Sequence, residues 1–317
     1  MTLPVGATLS RIRERVLRGS RVLRRILLRI VLAAAFASVA AVVFGAPAEA
    51  KPARIVSINL CTDQFVLALA DRERIRSLSY LVAEPDESPA VEQARGLLLN
   101  HGRSEQILPL EPDLIVAGLY SPRPTRLLLR RLGYDVVEFG LSNSLADVRD
   151  RIRQKGEALG ETQRAEALIR TFDARLDAAR PDADGPRPTA LYLQPGGYTS
   201  GRNSLIDDII VQAGLINLGA QFGFEGPGRA PLESMLAADP DILITQEEKP
   251  RVPALAYDVL NHPAIAALTA RAHRVTVPMR YWICGVPETL RAVEILAEAR
   301  RRVVADAEQG VVAEAGQ

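Results

Sequence analysis

Cysteine, histidine and tryptophan are scarce in this chain of 317 residues: two, three and one, respectively. Two cysteines, Cys61 and Cys284, are too few for a disulfide framework, and their spacing matches no zinc pattern. No cysteine stands within the first 60 residues, so none follows the N-terminal apolar run to carry a lipid. There is no G-x-S-x-G elbow and no Walker A loop. An enzyme would be left with a thiol nucleophile at Cys61 activated by His101, a periplasmic thiol-dependent hydrolase. The expectation is a chain that is not an enzyme, with no catalytic residue, no cofactor and no directly held metal. A long membrane-spanning run is also lacking. The apolar stretch Ile30–Phe44 has 15 residues, short of the roughly 20 a spanning helix needs.

What precedes that stretch explains it. Eight arginines lie between Arg11 and Arg29, opposed by Glu14 alone. After it come Gly45, Ala46, Pro47, Ala48, Glu49 and Ala50, with Ala48 and Ala50 at an A-x-A spacing. Basic, apolar and small-residue segments in that order form a secretory signal, with cleavage expected near Ala50 and export to the periplasm. An uncleaved anchor is the other reading. Arg24-Arg25 followed by Ile26-Leu27-Leu28 resembles a twin-arginine signal, which leaves the export route open. The first fifty residues hold eight arginines against two glutamates, so a chain of net charge +1 keeps −5 once they are gone. A mildly acidic chain argues against nucleic acid as partner.

Beyond residue 50, short β-branched runs alternate with helical patterns. Strands are expected over Arg54–Leu60, Leu114–Ala117, Tyr134–Phe139, Thr189–Leu193, Ile242–Thr245 and Arg274–Val277. Strands separated by helices predict an α/β fold with mostly parallel sheets. Ala165, Leu168, Ile169, Phe172 and Leu176 fall on one helical face. That predicts a single helix over Gln163–Arg180, with Thr162 as a candidate N-cap. The boundaries expected are a signal over 1–50, an N-terminal α/β lobe over 51–160, a bridging helix over 161–183, a C-terminal α/β lobe over 184–304 and a disordered tail over 305–317.

An internal repeat organises the two lobes. The segment Glu105–Val116 returns without a gap as Glu233–Ile244, 128 residues later. Each copy reads as a short helix, a Pro-Asp turn and a buried strand.

The repeat, the helical bridge and the signal, taken with Arg54-Ile55-Val56-Ser57 and the stretch Gly201–Ile210 running on to Ala213-Gly214 and Asn217, resemble the iron–siderophore and vitamin B12 substrate-binding proteins of ABC importers. The resemblance implies two Rossmann-like lobes with mostly parallel sheets joined by a long bridging helix, with a ligand held between the lobes. It implies a permease dimer with its ATPase as partner, and a monomeric receptor. It also implies that one acid per lobe, Glu105 and Glu233, docks onto permease arginines. Asn59 to Gln64 and Trp282 to Gly285 depart from the commoner members of the family.

In parallel α/β sheets ligands bind beyond the carboxyl ends of the strands. That rule nominates Asn59, Cys61 and Asp63 after the first strand, and Tyr120 and Arg123 after Val116. It nominates Tyr198 and Arg202 beyond Leu193, and Arg280, Tyr281 and Trp282 after Val277. His101 and Arg103 precede the first repeat helix. Trp282 is expected to be the strongest ligand contact. Cys61 and Cys284 both follow strand ends, so a disulfide across the cleft and a pair of separate buried thiols are both open. The arginines Arg103, Arg123, Arg202 and Arg280 point toward a ferric siderophore, since guanidinium forks suit anionic oxygens. A corrinoid, which prefers apolar and aromatic walls, and a haem, with His101 or a tyrosine as axial ligand, are the alternatives.

Overall fold

A computed structural model describes residues 51–182, 185–246 and 262–315, with side chains up to residue 309. The signal expected over 1–50 lies outside the described residues. The first lobe is built from β1 (Ile55–Ser57), α1 (Leu60–Leu69), β2 (Ile75–Ser79), α2 (Val91–Ala94), β3 (Leu99–Asn100), α3 (Ser104–Ile107), β4 (Leu114–Gly118), α4 (Arg123–Arg131), β5 (Val136–Phe139) and α5 (Leu145–Ala158). The bridging helix α6 (Thr162–Ala179) leads to β6 (Thr189–Leu193), β7 (Tyr198–Ser200), α7 (Leu205–Gln212), β8 (Ile216–Asn217), β9 (Pro227–Arg229), α8 (Leu232–Ala237), β10 (Ile242–Thr245), α9 (Pro263–Arg271), β11 (His273–Thr276) and α10 (Leu290–Ala315).

Both main sheets are parallel. The first has the order β3-β2-β1-β4-β5 and the second β11-β10-β6-β8, while β7 and β9 form a separate antiparallel ribbon. In each lobe the opening strand, β1 or β6, pairs with the strand of the repeat, β4 or β10. The strand order reverses between those two, which is where a crevice forms at the strands' carboxyl ends.

The strand residues bury both faces. Ile55, Leu114 and Val116 enter one core cluster, and their neighbours Val56, Ile115 and Ala117 enter another. Ala190, Tyr192, Ile242 and Ile244 join the same first cluster, and Leu191, Leu193 and Leu243 lie on the opposite face. This is the period of two expected of a strand covered on both sides. The first cluster runs through both lobes and includes Ile169, Phe172 and Leu176 of α6, packed beside α10.

The two copies of the repeat fold alike in detail. Glu111 and Asp239, each just before its Pro-Asp pair, adopt left-handed backbone at φ 44° and 39°. Asp113 then accepts the backbone N–H groups of Ala53 and Arg54 at 2.9 and 2.8 Å. Asp241, at the equivalent position, accepts the Thr189 N–H at 2.7 Å. Each aspartate therefore pins the start of its lobe's opening strand.

Three differences from the sequence reading have physical causes. Glu161, not Thr162, precedes the bridging helix, and its carboxylate is held by Lys51 and Arg74 at 3.0 and 2.5 Å. The strands β2, β3, β7, β8 and β9 carry no long β-branched run and escaped the pattern. Finally, the chain beyond residue 304 continues α10 to Ala315 instead of ending in a disordered tail. Its alanine and glutamate content favours helix, and it extends the packed part of α10.

Candidate functional site

At the carboxyl ends of the two sheets a cavity of about 320 Å³ lies between the lobes. The first lobe contributes Asn59, Cys61 and Phe65 from β1 and α1, Tyr120 from the loop after β4, Phe139 at the end of β5, and Lys155 from α5. Asn59 caps α1, its Oδ1 accepting the Cys61 N–H at 3.0 Å. That capping geometry brings Asn59 against β4: a Cβ on Gly118 would lie 2.8 Å from the Asn59 amide, so glycine is required there. The second lobe contributes Tyr192, Thr199, Asn203, Trp282 and Cys284. Gly285 meets Ser142 of the first lobe so closely that an added Cβ would stand 2.3 Å from it.

Cys61 and Cys284 are joined by a disulfide with a Cα–Cα distance of 5.3 Å. The bond ties α1 of the first lobe to the loop after β11 in the second, at the cavity wall. Further ties across the lobes include the Leu145 N–H donated to Asp208 Oδ2 at 2.6 Å and an Arg280 N–H donated to the Pro85 carbonyl at 3.4 Å.

Trp282 is 4% exposed and packs edge-to-face on Tyr192, ring centroids 4.6 Å apart. Its indole N–H finds no acceptor among the described residues. The Tyr192 hydroxyl accepts from Gln194 at 2.5 Å and from Gln246, and burial pushes its phenol up. The mouth is apolar: Leu119, Tyr120, Leu141 and Ile283 all line the cavity and are all exposed, Tyr120 to 78%. An exposed apolar rim of this kind is a candidate contact surface for a ligand, a protein or a membrane.

Lys155 is 3% exposed. Its Nζ lies 4.0 Å from the Phe65 ring centroid and 4.3 Å from that of Phe139. Burial pulls its ammonium down to about 7, and the positive charge of Arg151 acts in the same direction.

The cavity thus gathers Asn59, Cys61, Tyr120 and Trp282 from the residues nominated by the sequence. The others do not line it. Asp63 is fully buried within the first lobe, where its carboxylate accepts the Ser79 N–H at 3.2 Å and the Ser79 hydroxyl. Asn59, Cys61 and Asp63 all follow the first strand, but Leu60 already begins α1. Two helical positions stand about 200° apart, so Asp63 cannot share a face with Cys61. Phe65, four residues on, does share it. His101 stacks on Tyr80 outside the cavity, ring centroids 4.6 Å apart. Arg103 and Arg123 are exposed beside the starts of α3 and α4, and Tyr198 is half-exposed on β7. The backbone of Arg202 pairs with Phe224 and Gly226, leaving the adjacent Asn203 to line the cavity. Arg280 lies over the Tyr281 ring, and Tyr281 packs against the core. Among the residues missed are Phe65, Phe139, Lys155 and Tyr192. The i, i+4 relation to Cys61 would have found the first, and the ends of their strands the second and fourth. Nothing local marks Lys155.

Glu105 and Glu233 are exposed in the first turns of α3 and α8, and neither pairs with another charged group among the described residues. No described helix is long and apolar enough to cross a membrane.

Solved proteins share this fold. The haem-binding protein RhuT of Roseiflexus sp. RS-1, in its apo form, superposes with a TM-score of 0.65 over 79% of this chain and 98% of its own, at 26% identity. The vitamin B12-binding protein BtuF of Vibrio cholerae shares the fold, with a TM-score of 0.56 over 80% of this chain and 98% of its own, at 19% identity. In sequence, cobalamin-binding proteins of Halobacterium salinarum are 26% identical over 212 residues, 66% of this chain. The match spans 58% of their length, less than two thirds of those relatives. A family model described as periplasmic binding protein matches residues 55–277. The chain belongs to the periplasmic binding protein family.

Proposed function

We propose that this protein is the substrate-capturing component of an ABC importer and that its cargo is a corrinoid. The observation that carries the reading is the make-up of the cavity: aromatic and apolar walls, an exposed apolar mouth and, among its lining residues, a single cationic side chain, Lys155. The four arginines that favoured a ferric siderophore stand outside those walls. A large ligand that is mostly apolar, with amide edges for Asn59 and Asn203 to meet, fits such a site better than a highly anionic complex. The cobalamin-binding relatives support the same choice. Haem is the competing cargo, favoured by the exposed phenol of Tyr120 at the mouth, a residue type able to ligate iron. In this reading residues 1–50 are removed on export, and the exposed Glu105 and Glu233 meet the permease, one from each lobe.

Mass and absorbance of whatever co-purifies from the periplasm test the cargo directly. Quenching of the single tryptophan by added cyanocobalamin, haemin and ferrichrome ranks the candidates. Cyanocobalamin should bind tightest. A clear preference for ferrichrome would overturn the corrinoid reading, and an intact mass that still includes Arg11–Arg29 would overturn cleavage.

A further inference from the structure

Lys155 is an unusual residue to find on a cavity wall. α5 carries its side chain inward until the ammonium meets two aromatic faces, Phe65 from α1 and Phe139 from β5. Neither element brings a charge to it. Among the described residues, the one charged group that acts on it is Arg151, one turn earlier on α5, whose guanidinium is engaged with Gln154 and the Leu141 carbonyl. Among the described residues no carboxylate pairs with Lys155. Two ring faces offset only part of the desolvation of a buried ammonium. On the opposite wall the Trp282 indole N–H is likewise buried without an acceptor. Among the described residues, the cavity therefore presents a cation and a donor to which the protein supplies no acceptor.

We infer that Lys155 determines specificity in this cleft by receiving an anionic oxygen group, carboxylate or phosphate, carried by an otherwise apolar ligand. The inference rests on the proposed function only in taking the cavity as the ligand site, and it adds the charge the ligand must bear. Because the free ammonium is held near pH 7, an arriving anion restores its proton, and binding above that pH takes up one proton. Affinity therefore falls about tenfold per pH unit above 7.

The test uses the processed protein, the variant Lys155→Met, whose thioether packs well between two phenyl rings, and Lys155→Arg, which keeps a cation that does not titrate. Circular dichroism checks that each is folded. Cyanocobalamin, which carries a phosphodiester, and haemin, which carries carboxylates, are titrated at pH 6 and 8.5. Separately, the melting temperature is followed with inorganic phosphate and with acetate at constant ionic strength. The inference expects Lys155→Met to bind the preferred probe at least tenfold more weakly at pH 6, with no pH dependence, and Lys155→Arg to bind without the alkaline loss. It expects phosphate or acetate to raise the melting temperature of the wild type and not of Lys155→Met. Equal affinity and equal pH slope in wild type and Lys155→Met would overturn it, as would a melting response that is the same in both. If neither probe binds, the cargo reading fails, and the small-anion response alone decides the role of Lys155.

Discussion

Asp63 and Lys155 are two buried ionisable groups whose costs run in opposite directions with pH. Burial pushes the Asp63 carboxyl up to about 7, against hydrogen bonds from Ser57 and Ser79 that favour the anion. Its ordinary value is 3.8. The folded protein therefore keeps a proton that the unfolded chain releases, and this contribution is whole below about pH 4 and lost as pH rises through 7. Lys155 behaves in the converse way: with a folded value near 7 against 10.5, it makes the protein more stable as pH climbs between those values. Together they place a minimum of stability near neutrality. Asp63→Asn keeps an acceptor for the Ser79 N–H and removes the titration. In urea unfolding at pH 5 and pH 8, the wild type should lose stability relative to Asp63→Asn, by up to about 1.4 kcal/mol for each pH unit between 5 and 7. Parallel behaviour would contradict the buried carboxyl. Trp282 calls for a different comparison. It is as much a core residue as a ligand contact, so Trp282→Ala should cost about 3–5 kcal/mol of stability and confuse any binding result. Trp282→Phe preserves most of the packing against Tyr192 and removes the indole N–H. Measured by calorimetry, it should weaken ligand binding with little change in melting temperature.

At the scale of elements, the repeat is where the sequence spoke most clearly. Ungapped agreement between Glu105–Val116 and Glu233–Ile244 anticipated α3 with β4 and α8 with β10. It did so because proline, a left-handed acid and a strand-capping aspartate are local requirements, written in consecutive residues. The same logic places Glu105 and Glu233 at corresponding positions of corresponding helices, both in solvent. Their substitution by alanine should leave ligand affinity unchanged and lower uptake in cells, with the double variant lowest. Because the charges are exposed, docking should weaken with added salt. A collapse of ligand affinity in solution would move these residues from a docking face to the ligand site. The cleft was less legible than the repeat. Asn59, Cys61 and Trp282 follow strands directly and could be reached by counting. Lys155 belongs to a helix interior and reaches the cavity only because α5 packs beside α1 and α6, a tertiary fact with no signature in its neighbours. The arginines were misplaced for a related reason: a loop after a strand has two sides, and composition does not say which one faces inward.

For the molecule as a whole, the Cys61–Cys284 bond closes most of the folded chain into a single loop, with a sequence separation of 223. Closing a loop of that length restricts the unfolded state by about 5 kcal/mol in the chain-entropy account. Cys61→Ser with Cys284→Ser should lower unfolding stability by an amount of that order, and thiol titration of the unfolded, unreduced wild type should detect no free thiol. Two free thiols would remove the bond from the description. The bond also changes what kind of machine the two lobes can be. Two bodies joined by one stem can bend and twist in any direction the stem allows. Fasten them at a second point away from the stem, and what remains is rotation about the line through both fastenings. Here α6 is one fastening and the disulfide the covalent second, beside the Leu145–Asp208 and Arg280–Pro85 hydrogen bonds, so the lobes would rock about the line through both and not swing freely. Ligands would then enter and leave past the apolar mouth at Leu119, Tyr120, Leu141 and Ile283, by a rocking of that mouth and not by the lobes parting.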